Sequence, residues 1–209
     1  TVELPEKVME KIIVTTVSGD VNAADISSNF TDISSTSGSV KLGSDLGELT
    51  VNTTSGDVFF DNSATADSAD IITTSGEIRI SGNFKDSLKA KATSGDIEMI
   101  KGAAGRLGLM SSSGDVTCVN VKADTVFADT MSGDISFNDV ICSGEMELET
   151  TSGEINIDRV DANDYDLKTV SGEIEAEILS PKFYNVRSVS GSANTPKNST
   201  ADKITGSFN

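Results

Sequence analysis

The chain has no histidine and no tryptophan, only 3 prolines and 2 cysteines, and 16 basic residues against 33 acidic ones. Without histidine, no side chain titrates near neutrality by default, so the usual proton-transfer and imidazole metal chemistry is excluded. Without tryptophan and with only 2 tyrosines, the aromatic platforms common in sugar clefts are scarce. The net charge of −17 and a pI near 4.2 exclude nucleic acid and direct adsorption to an anionic membrane, since both need a basic face. They suit a soluble, self-repelling surface and favour divalent cations or basic partners. Cys118 and Cys142 match no metal-ligand spacing and are expected to be unpaired or buried thiols. No run approaches the roughly 20 apolar residues of a membrane span. The chain opens at Thr1, which leads us to expect a mature or trimmed form whose signal or anchor lies upstream.

What is plentiful is a phrase. Ser-Gly pairs recur with glycines at Gly19, Gly38, Gly56, Gly76, Gly95, Gly114, Gly133, Gly153, Gly172 and Gly191, at intervals of 18 to 20 residues. Ten copies at so steady a period mean a repeat architecture. With each glycine as position 0, position −1 is always Ser, and position −3 is Thr or Ser in every copy but one, Ala92. Position +1 is acidic except at Ser39 and Ser192.

Four further columns, −7, −5, +2 and +4, are hydrophobic in all copies except at Thr31 and Thr195. Tyr165 and Tyr184 fall in column −7 and Cys118 in column +4, all on the inward side. A spacing of two is the strand period. The inward parity is odd before the glycine and even after it, so one extra residue is absorbed at the corner. Glycine is expected to take a positive φ there. The remaining residues of each copy vary in sequence and are expected to form a short third strand or an irregular side. "CSGE" at Cys142–Glu145 reads as a second corner within its copy.

A 19-residue unit cannot bury its apolar face alone, but stacked on its neighbours it can. The expected fold is therefore all-β: one right-handed parallel β-helix (β-solenoid) of about ten coils, with handedness from the crossover rule. At about 4.8 Å per coil the rod would be about 45–50 Å long. Residues 1–11 are expected to cap one end, 12–192 to form the repeats and 193–209 to form a degenerate cap, as one domain.

The repeated "TTSGD/E-[VI]" phrase resembles that of a bacterial family of unknown function labelled as adhesins, with LiaG-like relatives, over about Ile12 to Ser192. The resemblance implies an envelope protein, extracytoplasmic or surface-exposed, touching the membrane only through an anchor outside this chain. It implies an unidentified protein or glycan as partner, and it brings no catalytic residues and no cofactor.

Parallel β-helices also host polysaccharide lyases and hydrolases, so fold alone does not settle function. Three functions stay open: a non-enzymatic surface binding or spacer module, a polysaccharide-active enzyme, and a signalling or envelope-stress accessory protein. Phe59, at an outward +3 position, is the one clear candidate for an exposed aromatic, against the commoner reading of a core or packing role. The acidic column, with Asp57, Glu77, Asp96, Asp115, Asp134, Glu154 and Glu173 on seven consecutive coils, is either a solvated row at the corners or a ladder for cations. One carboxylate per coil is sparse for calcium, which takes six to eight oxygens.

Overall fold

The computed structural model describes residues 8–43, 45–61, 64–179 and 183–194. All described strands join one parallel sheet, and no helix occurs among the described residues. Each strand away from the ends pairs with the equivalent segment one turn earlier and one turn later. Ile78 aligns with Ile97, Ile97 with Val116, and Val116 with Ile135. The ten corner glycines thus enclose about nine turns of a parallel β-solenoid.

The expected apolar columns form the core. Val58, Ile78, Ile97, Val116, Ile135 and Ile155 of column +2 are completely buried and stacked on one another. Each such side chain contributes about 1.5–3 kcal/mol by leaving water. Thr31 is also buried, and its hydroxyl is satisfied by Ser28. The buried Tyr165 hydroxyl accepts from Ala162 N–H at 2.7 Å and donates to Val160 O at 3.1 Å. The side chain of Tyr184 and all of Thr195 lie outside the described residues.

Breaks in the pairing divide a turn into three straight runs. In one turn these are Ile97–Ile100, 102–104 and 106–111. The middle run is a strand in the central turns, at 82–84, 102–104, 121–123 and 140–142, and irregular at 24–27, so both expected forms occur. It contributes its own core: Val121, Ala123, Val140, Cys142, Val160 and Ala162 are all buried. A short third strand or an irregular side is the expectation from the sequence here; its residues give no aligned column because the inward side chains vary from Phe84 to Ala104 and Ala123 and the register shifts in some turns.

Glycine fills the Ser-Gly corners for a reason other than the expected one. Of the ten corner glycines only Gly38 has a positive φ, at 120°. At the others the constraint is contact with the turn before. A Cβ on Gly114 would lie 2.2 Å from Gly95 O, and one on Gly133 would lie 2.1 Å from Gly114 O. Gly19, in the first turn, has no such carbonyl beside it, and its nearest contact would be Thr16 Oγ1 at 3.2 Å. The column therefore keeps stacked backbones in close contact.

Left-handed backbone occurs instead at a second corner, six residues after the glycine. Lys101, Asn120, Asp139 and Arg159 have φ between 51° and 63° in four successive turns. Asn and Asp tolerate that region better than most residues, whereas Lys and Arg give no such signal.

At the first end, Met9 N–H donates to Ser27 O at 2.9 Å, so the described part of the expected cap already belongs to the ladder. Residues 1–7 and 195–209 lie outside the described residues. At the other end Ala193 and Asn194 still pair with Ile174 and Glu175.

Candidate functional site

The Ser-Gly corner is first a solution to a backbone problem. On either side of the glycine the ladder is intact: Ser55 N–H donates to Thr36 O and Ile97 N–H to Asp115 O, both at 2.9 Å. The glycine N–H, the glycine C=O and the N–H that follows need other partners, because buried or half-buried backbone groups are costly when unpaired.

The hydroxyl at −3 meets two of these needs. Ser111 Oγ accepts from Gly114 N–H at 3.0 Å and donates to Gly95 O, one turn earlier, also at 3.0 Å. Thr73 repeats the pattern with Gly76 N–H and Gly56 O, the second bond being long at 3.5 Å. Thr130, Thr150 and Thr169 donate in the same way at 2.9–3.1 Å. All five are buried. Ala92, also buried, has no hydroxyl to bridge Gly95 N–H to Gly76 O.

The acid at +1 meets the third need when it is aspartate. The Oδ1 of Asp57, Asp96, Asp115 and Asp134 accepts the backbone N–H of the +1 residue in the following turn, at 2.8–2.9 Å. Asp20 does the same for Ser39. Glu77 has a longer side chain and instead meets Arg79 at 2.7 Å, which also reaches Glu98 at 2.6 Å. The acidic column is thus built into the corner, with one carboxylate per turn and one oxygen of several aspartates committed to an amide. Among the described residues no group of three or more acids and cysteines is placed to hold a metal ion.

At the second corner, Arg159 forms a paired contact with Asp139. Its Nε and Nη2 donate to the two carboxylate oxygens at 2.7 Å. It also reaches Asp158 and Asn138 at 2.6 Å. These bonds hold the exposed Asp139 carboxyl below the usual range and raise Arg159 above its own. Beside this corner, on the run after the glycine, lies an open groove of about 840 Å³ whose outward lining includes Asn138, Asn156, Asp158, Glu175 and Glu177.

The outward face of the run before the glycine is patterned differently. Its column −6 reads Asp70, Lys89, Gly108, Phe127, Glu147 and Asp166 in successive turns, each aligned with the next. Phe127 is half-buried on this outer face and lines a second groove with Lys89, Arg106, Met110, Glu145 and Glu147. Phe59, also half-buried, stands between Lys41 and Arg79. Phe59 is therefore not the one outward aromatic: Phe127 joins it, as does Phe30, whose ring lies 4.9 Å from Lys11 Nζ. The signal for Phe127 was its even offset before the glycine, opposite in parity to the core columns. Beside it, burial raises the Asp129 carboxyl, with Glu149 and Glu147 adding repulsion.

Cys118 and Cys142 are both buried and unpaired, and burial pushes both thiols up. Ser143 and Gly144 form the corner expected within "CSGE", where a Gly144 Cβ would lie 2.6 Å from Asp124 O.

A family model described as Toastrack DUF4097 matches residues 1–105 and again 81–201. No curated protein and no solved structure matches the chain.

Proposed function

The chain belongs to the Toastrack DUF4097 family, a β-solenoid family of unknown function, and we propose that this member is a non-enzymatic binding or spacer module of the bacterial cell envelope. One observation carries the proposal. The polar residues that make the repeat conspicuous, the hydroxyls at −3 and the aspartates at +1, bond to backbone at the corners that hold successive turns together. What the repeat encodes is then an acidic rod, and recognition falls to its outward faces. A rod suits presentation away from a surface, and an anchor outside this chain would supply the attachment. A protein or glycan at the cell surface is the proposed partner.

The polysaccharide-active alternative would place its chemistry in the groove of Asn138, Asp158 and Glu177. The nearby cation, Arg159, is already held by Asp139, Asp158 and Asn138. That favours a structural corner over a substrate clamp. A signalling accessory role would use the same faces for a protein partner.

Protease treatment of intact native cells tests the location: the protein should be cleaved while cytosolic markers survive. Protection equal to that of the markers would overturn the envelope assignment. Release of new reducing ends from a polysaccharide panel by the pure protein would overturn the non-enzymatic one.

A further inference from the structure

The outward face around Phe127 carries a pattern that matches its own reverse. Four successive turns supply it. The first carries Lys89 and Lys91, the second Arg106, Gly108 and Met110, the third Phe127 and Asp129, and the fourth Glu145, Glu147 and Glu149. Lys89 and Lys91 thus lie to one side of a central strip of Gly108, Met110 and Phe127, and the three glutamates to the other; Arg106 and Asp129 are the charged members of the central turns.

From this pattern we infer that the face docks a second copy of the same chain. The two-fold axis would lie in the interface, along the strands, between the turn of Gly108 and the turn of Phe127. Such an axis reverses the order of turns while keeping each column opposite itself. Lys89 then faces Glu147 of the second copy, Lys91 faces Glu149, Asp129 faces Met110, and Phe127 faces Gly108, each contact occurring twice as an isologous interface requires.

Gly108 is the second observation. A Cβ there would meet nothing closer than Leu88 O at 3.9 Å and Lys89 Cγ at 4.0 Å. Unlike the corner glycines, it is not required by its own chain. Its missing side chain leaves a shallow place beside Phe127, and in the pair the ring of the second copy occupies it. The match ends at the next turns, where Asp70 would face Asp166. Within the chain Lys168 binds both Asp166, at 3.0 Å, and Glu147, at 2.7 Å, so Glu147 would meet Lys89 of the second copy as a carboxylate shared with Lys168.

Two magnitudes set the expected strength. The patch is about 17 Å along the strands and about 19 Å across four turns, which is small for a specific interface. Dissociation in the micromolar range is therefore expected. The net charge of −17 opposes pairing at long range. At physiological ionic strength, charges beyond about 8 Å are screened, so the facing bands decide.

Sedimentation velocity on the whole chain, from micromolar to submillimolar concentration, tests this. The wild type should shift from monomer to dimer. Lys89→Glu with Lys91→Glu makes both bands acidic, and Glu147→Lys with Glu149→Lys makes both basic. Each double variant alone should stay monomeric, and a mixture of the two should form a heterodimer. Gly108→Leu should keep the wild-type melting temperature and lose the dimer. A wild type that stays monomeric throughout would overturn the inference. So would double variants that dimerise as the wild type does, or a mixture that does not pair.

Discussion

The Thr130 hydroxyl donates to the carbonyl oxygen of Gly114, one turn earlier, at 2.9 Å. The same relationship links Ser111 to Gly95 and Thr150 to Gly133. A hydrogen bond of this kind contributes about 1 kcal/mol, and a buried carbonyl that loses its partner costs about 1–3 kcal/mol. Thr130→Val, which keeps the shape and removes the hydroxyl, should destabilise by that larger amount. Ala92→Ser should do the opposite and stabilise by about 1 kcal/mol. Urea unfolding of the two variants checks both signs.

Gly114 and Gly108 make a matched comparison. Alanine at Gly114 puts a methyl 2.2 Å from the Gly95 carbonyl oxygen, whereas at Gly108 the nearest atom is 3.9 Å away. Gly114→Ala should cost about 1–3 kcal/mol or more through overpacking, and Gly108→Ala should be near neutral. Equal losses in thermal unfolding would mean that contact between turns does not set the glycine column.

Much of this architecture could be read directly from the residues, and the limits have physical causes. The period, the four apolar columns and the parallel stack follow from side chains that repeat, such as Val58, Ile78 and Ile97. The third side was harder to see because Ala123 and Ala162 carry little hydrophobic signal and the register slips between turns. The glycine column was legible but its cause was not, since a carbonyl one turn away, such as Gly95 O beside Gly114, leaves no mark in a local pattern. The Phe127 face left little trace in the sequence because its outward column, with Asp70, Lys89, Gly108 and Phe127 in successive turns, does not repeat.

The aspartate ladder gives a third prediction. Asp115 Oδ1 accepts Asp134 N–H at 2.9 Å. Asp115→Asn keeps an oxygen there and should cost little, while Asp115→Ala should cost about 1 kcal/mol or more. With the carboxylates bonded to amides singly, calcium should raise the melting temperature no more than magnesium at equal ionic strength. A calcium-specific gain that disappears in Asp96→Asn with Asp115→Asn would restore the cation ladder.

Arg159 and Asp139 predict a pH effect. The folded carboxyl lies below its ordinary value, first through the hydrogen bonds from Arg159. Its contribution to stability is therefore present above the unfolded value, about 3.9, and is lost as pH falls through the lower folded value. Arg159→Ala should return the Asp139 titration, followed by carboxyl NMR, to the ordinary range. An unchanged midpoint would show that the ion pair is not formed in solution.

Neither thiol should be reactive in the native state. Cys118 is fully enclosed and Cys142 is buried on the third side. A thiol reagent should label both only at the rate of unfolding, and fast labelling at neutral pH would contradict the packing of those two columns.

The relay from corner hydroxyl to the glycine carbonyl of the turn before also bears on heredity. Because a corner takes a bond from one neighbour and offers the same bond to the other, adjacent copies are interchangeable links. Duplication of one 19-residue segment, such as that from Gly95 to Gly114, would repeat at the added junction the corner bonds that Ser111 makes to Gly114 and Gly95. Reach is then a digital trait, adjustable in steps of about 4.8 Å, and lineages could lengthen or shorten the rod by recombination alone.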